Sequence, residues 1–174
     1  MDWKREIAIA HLVKNKIAEA DVGGLWENTL PNVAATPDQV QALERQLGYA
    51  IHPQHREFLL HADGWRAFMH NIDVFGTDDF VGGPRAAAAI ELIESLEDLE
   101  PLCGFGERDL LPIAVNMTGI DVMLMTRPHT ATPGKVFWLA GGVVDTFPDF
   151  QEWFLAMVDY NRNEYQRLVK AQQQ

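Results

Sequence analysis

TPDQVQALERQLGYAIHPQHREFLLHADG, residues 36–64, reads as two short helices joined by a turn. Thr36 is a good N-cap, Pro37 suits the first helical position, and Gln39 lies three residues after the cap. This is a capping-box pattern, in which the two side chains satisfy backbone N–H groups that a helix start leaves without partners. Val40, Leu43 and Leu47 form one apolar stripe. Gly48 supplies the left-handed residue that ends such a helix. Pro53 restarts the chain, and Phe58, Leu59 and Ala62 give the second helix its inner face. Asp63-Gly64 stops it.

Upstream, residues 2–20 carry helical spacing, with Trp3, Ile7, Ala10 and Ile17 on one face and Lys4, Lys14, Lys16 and Glu19 off it. Gly23-Gly24 ends this helix, and Leu25–Ala35 is a connector in which Trp26 and Leu30 pack down. Downstream, Trp65–Phe80 reads as strands, with Ile72 and Val74 on one face and Asp73 and Phe75 on the other. Phe80-Val81 is expected to continue the sheet after a polar loop. Arg85–Glu100 reads as one helix that turns Ile90, Ile93 and Leu96 inward and Glu91, Glu94, Glu97 and Asp98 to water, with Pro101 ending it.

Leu110–Thr126 has the alternation of a hairpin turning at Asn116–Gly119. Val136–Leu139 and Val143-Val144 are further strands around Gly141-Gly142. Asp149 to about Lys170 is a closing helix with Phe150, Trp153, Phe154, Met157 and Val158 on its apolar face, and its polar tail from Asn161 is expected to fray. Helices, then sequential strands, then a helix argue for the α+β class with one largely antiparallel sheet.

These residues carry a family resemblance. Leu43-Glu44, Leu47-Gly48, Pro53, Arg56 and Phe58 before Gly64-Trp65 resemble the opening of the SUKH superfamily (Smi/Knr-like). Leu111-Pro112-Ile113-Ala114, Gly119 and Asp121, Gly134–Trp138 and Phe147–Phe154 follow in that family's order. The resemblance covers residues 30–158 of a single domain spanning 1–174. Residues 1–29 then form an N-terminal helical extension, and 159–174 the C-terminal helix end and tail. The family contains fungal cell-wall regulators and bacterial immunity proteins. The likeness implies a single sheet with helices packed on one side, no enzyme activity, and a protein partner. In its immunity-protein form that partner is a cognate toxin, often a nuclease.

The charge has its own implication. The net charge is −11, and between Asp63 and Asp121 twelve acids face three arginines. Phosphate contacts need Lys and Arg, so this balance argues against nucleic acid as a direct partner. It favours a basic protein, because complementary charge speeds encounter and rejects wrong partners. The plainer reading is that an acidic surface keeps the protein soluble. The apolar runs fall well short of the ~18 residues that span a bilayer. The charged start Met1-Asp2-Trp3-Lys4-Arg5-Glu6 does not read as a secretory signal, and the single Cys103 is the pattern expected in a reducing cytoplasm.

Candidate contact residues follow from charge and loop position: Asp73, Asp78, Asp79, Glu107, Asp109 and Asp121, with Trp65 as a possible anchor. Trp is enriched at interface hot spots, but a Trp following a helix stop is more simply a core aromatic. An enzymatic alternative gathers Asp78-Asp79 with Glu107 and Asp109 around a metal or in acid–base work, although no calcium-loop spacing is present. His52, His55, His61 and His70 lie close in sequence but lack the further ligands and the HExxH pattern of a zinc site. No cofactor motif is found, and an adaptor that recruits a cellular protein without a toxin is the other non-enzymatic reading.

Overall fold

In the computed structural model, which describes residues 1–96 and 98–173, six α-helices surround a six-stranded sheet. The capped segment forms as its residues require. Helix α2 (Pro37–Leu47) begins at Thr36, whose hydroxyl accepts from the Gln39 N–H at 3.2 Å while the Gln39 side-chain oxygen Oε1 accepts from the Thr36 N–H at 2.8 Å. It ends at Gly48, which is left-handed with φ +78°. Its Val40 and Leu43 are buried. Helix α3 (Pro53–Leu59) follows, with Pro53 in its first turn.

The sheet is a meander. Strands β1 (Trp65–Met69), β2 (Ile72–Val74), β3 (Leu110–Asn116), β4 (Val122–Thr126), β5 (Val136–Leu139) and β6 (Val143–Phe147) lie side by side in chain order, each antiparallel to the next. Met69 pairs with Ile72 across the two-residue turn His70-Asn71, and His70 takes φ +53°, the positive value that tight hairpins of this kind demand.

Both faces are covered. Along β3 and β4, Leu111, Ile113, Met123 and Met125 face the main core, beneath α1 (Trp3–Ala20), α3 and α6 (Phe150–Ala171). Trp3, Phe58, Phe68 and Phe154 meet there with ring centroids 5.0–5.8 Å apart. The alternate residues Leu110, Val115, Val122 and Leu124 face a second core with Phe137 and Leu139. Two short helices, α4 (Pro84–Glu94) and α5 (Leu99–Cys103), close that side. The α+β class and the single antiparallel sheet stand as read from the sequence. The principal helical layer lies on one side, and α4 and α5 complete the other.

Several local readings change. Thr77–Val81 is a 3-10 turn, so Phe80-Val81 does not extend the sheet. The expected helix 85–100 divides in two. Ser95 turns its hydroxyl onto the Leu92 carbonyl at 2.6 Å, and the Asp98 carboxylate starts α5 by accepting from the Glu100 N–H at 3.2 Å. Pro101 therefore sits in the first turn of α5, where a missing N–H costs nothing, and ends no helix. Glu97, placed on the water face of that helix by the sequence reading, lies outside the described residues. The polar tail does not fray before Ala171, because α6 packs along α1 and buries Asn161, Glu164 and Leu168.

Lys14 is the clearest reversal. Expected off the apolar face, it is only 5 % exposed and donates to the carbonyls of Glu27 (3.0 Å) and Ala67. Burial pulls its pKa down to about 8, against the pull of Glu27. Thr29 donates to the Arg66 carbonyl and Asn161 to the Phe68 carbonyl, so the outer edge of β1 is sealed by side chains from the flanking segments. Sealing an edge strand in this way removes a template for unwanted pairing.

Candidate functional site

The candidate residues separate into three environments. Trp65 is fully buried, with its indole N–H on the Thr29 carbonyl at 3.2 Å and its ring 5.0 Å from Phe68. It locks the connector and helices to the sheet and presents no surface, so the reading of Trp65 as an exposed anchor is corrected. Asp73 is 7 % exposed. Its carboxylate accepts from the Ala67 N–H at 2.7 Å and from Arg85 Nε at 2.8 Å. Ala67 has φ +48°, and the Asp73 contact helps hold that strained turn of backbone. Asp73 is thus an internal brace and not a rim residue.

Asp121 belongs to a third place, the loop that leads into β4. It accepts from the Asn116 amide at 2.9 Å and the Trp138 indole at 2.8 Å, and it contributes nothing to the groove described next.

Of the remaining acids, Asp79 and Glu107 line a cleft of about 250 Å³ between α4, α5, the end of α2 and the second face of the sheet, and Asp78 and Asp109 are their near neighbours in sequence. Phe75, Leu110 and Pro112 form its floor. Ile90 and Ile93 of α4, Leu99 of α5 and Leu47 of α2 form its walls. Asp79, Glu107 and Arg127 stand among its lining as the charged groups. Asp78 is exposed in the same 3-10 turn as Asp79. Asp109 lies two residues beyond Glu107 and accepts from His129 at 2.9 Å and from the Gly106 N–H at 3.2 Å. The bond from His129 holds its carboxyl below the ordinary value.

Two arginines set the local field. Arg85 bridges Asp73 and Asp79, the latter at 3.2 Å. Burial works against its charge, but the hydrogen bonds and charges of these two aspartates outweigh it and lift the Arg85 pKa. Asp79 also accepts from the Gly76 N–H at 2.8 Å, so its position is fixed from two sides. Arg127 donates to the Leu110 carbonyl at 2.8 Å and lies over the Tyr49 ring at 5.5 Å. Both cations are committed to partners within the chain, whereas Glu107 and Asp78 face water. Charge-by-position reasoning on acids alone missed the apolar floor and the two arginines. The available signal was α4 itself, whose Ala86–Ala89, Ile90, Leu92 and Ile93 carry more apolar surface than one inward face uses.

Other chemistry finds less support in the geometry. Among the described residues, no group of three or more His, Cys, Asp or Glu is placed to hold a metal ion. His55 is sealed in the core against Phe150, His70 stacks on Trp26 at 4.2 Å, and His61 lies 2.8 Å from the Glu57 carbonyl. The Cys103 thiol donates to the Leu99 carbonyl at 3.2 Å, and burial raises its pKa away from the reactive thiolate. No helix among the described residues is long and apolar enough to cross a membrane.

A helical pair opened by a capping box, a six-strand meander, a long closing helix and an apolar cleft with Asp79 and Glu107 in its lining define an α+β scaffold. The family model described as SMI1 / KNR4 family (SUKH-1) matches residues 34–156, most of the chain, and the protein belongs to that family. The match begins just before α2 and stops within α6, so α1, most of the connector and the end of α6 lie outside it. A comparison with curated proteins returns no match.

Proposed function

We propose that this protein is a non-enzymatic immunity protein that binds and neutralises a cognate bacterial toxin of basic character, such as a nuclease, in the bacterial cytoplasm. The observation that carries the reading is the cleft beside α4, where an apolar floor meets Asp79 and Glu107 while nearby Arg85 and Arg127 are already engaged. Membership of the SUKH-1 family agrees with such a role.

The physical logic is charge mimicry. A nuclease grips phosphate with Lys and Arg, and an acidic surface competes for the same groups. Complementary potential accelerates encounter, and the apolar floor adds burial that is insensitive to salt. Selectivity follows because a buried charge without its match costs several kcal/mol, so only a partner with cations in register is tolerated.

The test is co-purification with the product of the adjacent upstream gene, repeated over a salt series. The reading predicts a complex that weakens steeply as salt rises. Absence of a complex contradicts the immunity role, and a salt-insensitive complex contradicts the charge argument.

A further inference from the structure

We infer that the cleft beside α4 is a socket for one aromatic side chain of the partner, flanked in the partner's own chain by Lys or Arg. This rests on the proposed binding role and goes further by specifying what the partner presents. Volume comes first. An apolar cavity of about 150 Å³ is enough to take benzene, so the cleft's ≈ 250 Å³ holds an aromatic ring together with the carbon that attaches it.

The lining selects the same ligand. Phe75, Leu110, Ile90 and Ile93 offer carbon, and the charged groups gather around it. The wall formed by α4 is lightly anchored: Ala89 is its one fully buried residue among those described, and Ile90 is 49 % exposed. A half-exposed Ile beside a hollow is apolar surface waiting for a cover, and an inserted ring supplies it.

Charge then fixes the neighbours of that ring. Glu107 and Asp78 face water near the cleft, and Glu91, Glu94, Asp98 and Glu100 are exposed along α4 and α5. Arg85 is neutralised by Asp73 and Asp79, and Arg127 is turned onto the Leu110 carbonyl and the Tyr49 ring. Against these six exposed carboxylates stand the charge of Arg127 and the exposed Arg108, so the balance around the anchor is negative and favours cations beside it. The net charge of −11 also disfavours a second copy of this chain as the occupant.

The test uses the full chain with isotope-labelled methyl groups and three capped tripeptides, Arg-Trp-Arg, Ser-Trp-Ser and Glu-Trp-Glu, followed by NMR. Arg-Trp-Arg is expected to shift the methyl signals of Ile90, Ile93 and Leu110 and to bind at least tenfold more tightly than Ser-Trp-Ser, with no binding of Glu-Trp-Glu. Ala86→Phe fills the cleft from its lining and abolishes the shifts. Glu107→Gln, at an exposed site that leaves the fold intact, weakens Arg-Trp-Arg several-fold and leaves Ser-Trp-Ser unchanged. The inference is overturned if the three peptides bind alike, which marks a general apolar hollow, if the shifts fall elsewhere, or if Glu107→Gln binds as the natural chain does. Folded Ala86→Phe that still co-purifies with the neighbouring gene product overturns the socket and leaves the immunity role standing. Tripeptide binding without any such complex does the reverse.

Discussion

Acidification should weaken this protein, and the largest single contribution should come from His55. Its imidazole is fully buried, with both ring nitrogens lacking a hydrogen-bond partner. It stacks on Phe150 with centroids 4.7 Å apart and meets Phe80 edge-on at 5.5 Å. Burial, with a smaller contribution from His52, lowers its pKa to about 3 from the ordinary 6.5. The folded state therefore holds the neutral ring while the unfolded chain binds a proton below pH 6.5. Stability from this group is fully present above pH 6.5 and is lost as pH falls toward 3. The whole shift is worth about 5 kcal/mol, of which about 2 kcal/mol is lost between pH 7 and pH 5. Urea denaturation followed by tryptophan fluorescence at the two pH values measures it. Other groups titrate too, so the comparison is with His55→Leu, which keeps an apolar side chain there and cannot take the proton. The variant should lose about 2 kcal/mol less than the natural chain over that interval. At pH 7 it should be no less stable than typical core swaps allow, since no hydrogen bond is broken. Equal pH slopes for the two proteins refute the argument.

Substitutions at three further positions test the framework that positions the cleft. Trp65→Ala should cost about 3–5 kcal/mol in denaturation, the range for deleting a fully buried aromatic, whereas Trp65→Phe should fold and bind its partner normally because Trp65 touches core and not surface. Asp73→Asn leaves Arg85 with Asp79 alone and should lose about 2–3 kcal/mol, somewhat under the cost of breaking a fully buried pair, since the Arg85 side chain is 23 % exposed. Gly64→Ala should lose about 2–4 kcal/mol by the same measurement: Gly64 has φ +84°, and an added Cβ would stand 2.6 Å from the Gly76 nitrogen, a backbone atom that cannot step aside.

Local rules made much of this architecture legible. The Thr36–Gln39 box, Pro37 and Gly48 act over four residues or fewer, and they place α2 to within a residue. Alternation in β3 and β4 and the stripe on α6 needed no distant partner to be read, and Asp149 caps α6 on the Glu152 N–H at 2.9 Å. The failures share a cause, which is long-range partnership. Lys14 looks like a surface residue until the edge of β1 supplies it with carbonyls. His55 looks like a helix-surface histidine until α6 covers it with Phe150. The polar end of α6 stays helical because α1 lies along it and Trp26 donates to Glu164 at 2.7 Å. Charge and loop position pointed to acids of which Asp79 and Glu107 line the cleft, whereas Asp73 turned out to be buried on Arg85 and Trp65 took the core place that a Trp after a helix stop suggests, since sequence position does not say which acid meets an arginine inside the fold.

Neutralisation through the proposed acidic cleft can be read in a growth assay. Bacteria that express the product of the adjacent upstream gene, the proposed toxin, are supplied either with this protein or with a chain carrying Ala86→Phe and Glu107→Gln. Full growth is expected with the natural chain and poor growth with the altered one, at equal amounts of folded protein. Cells that die equally with and without the natural chain contradict neutralisation.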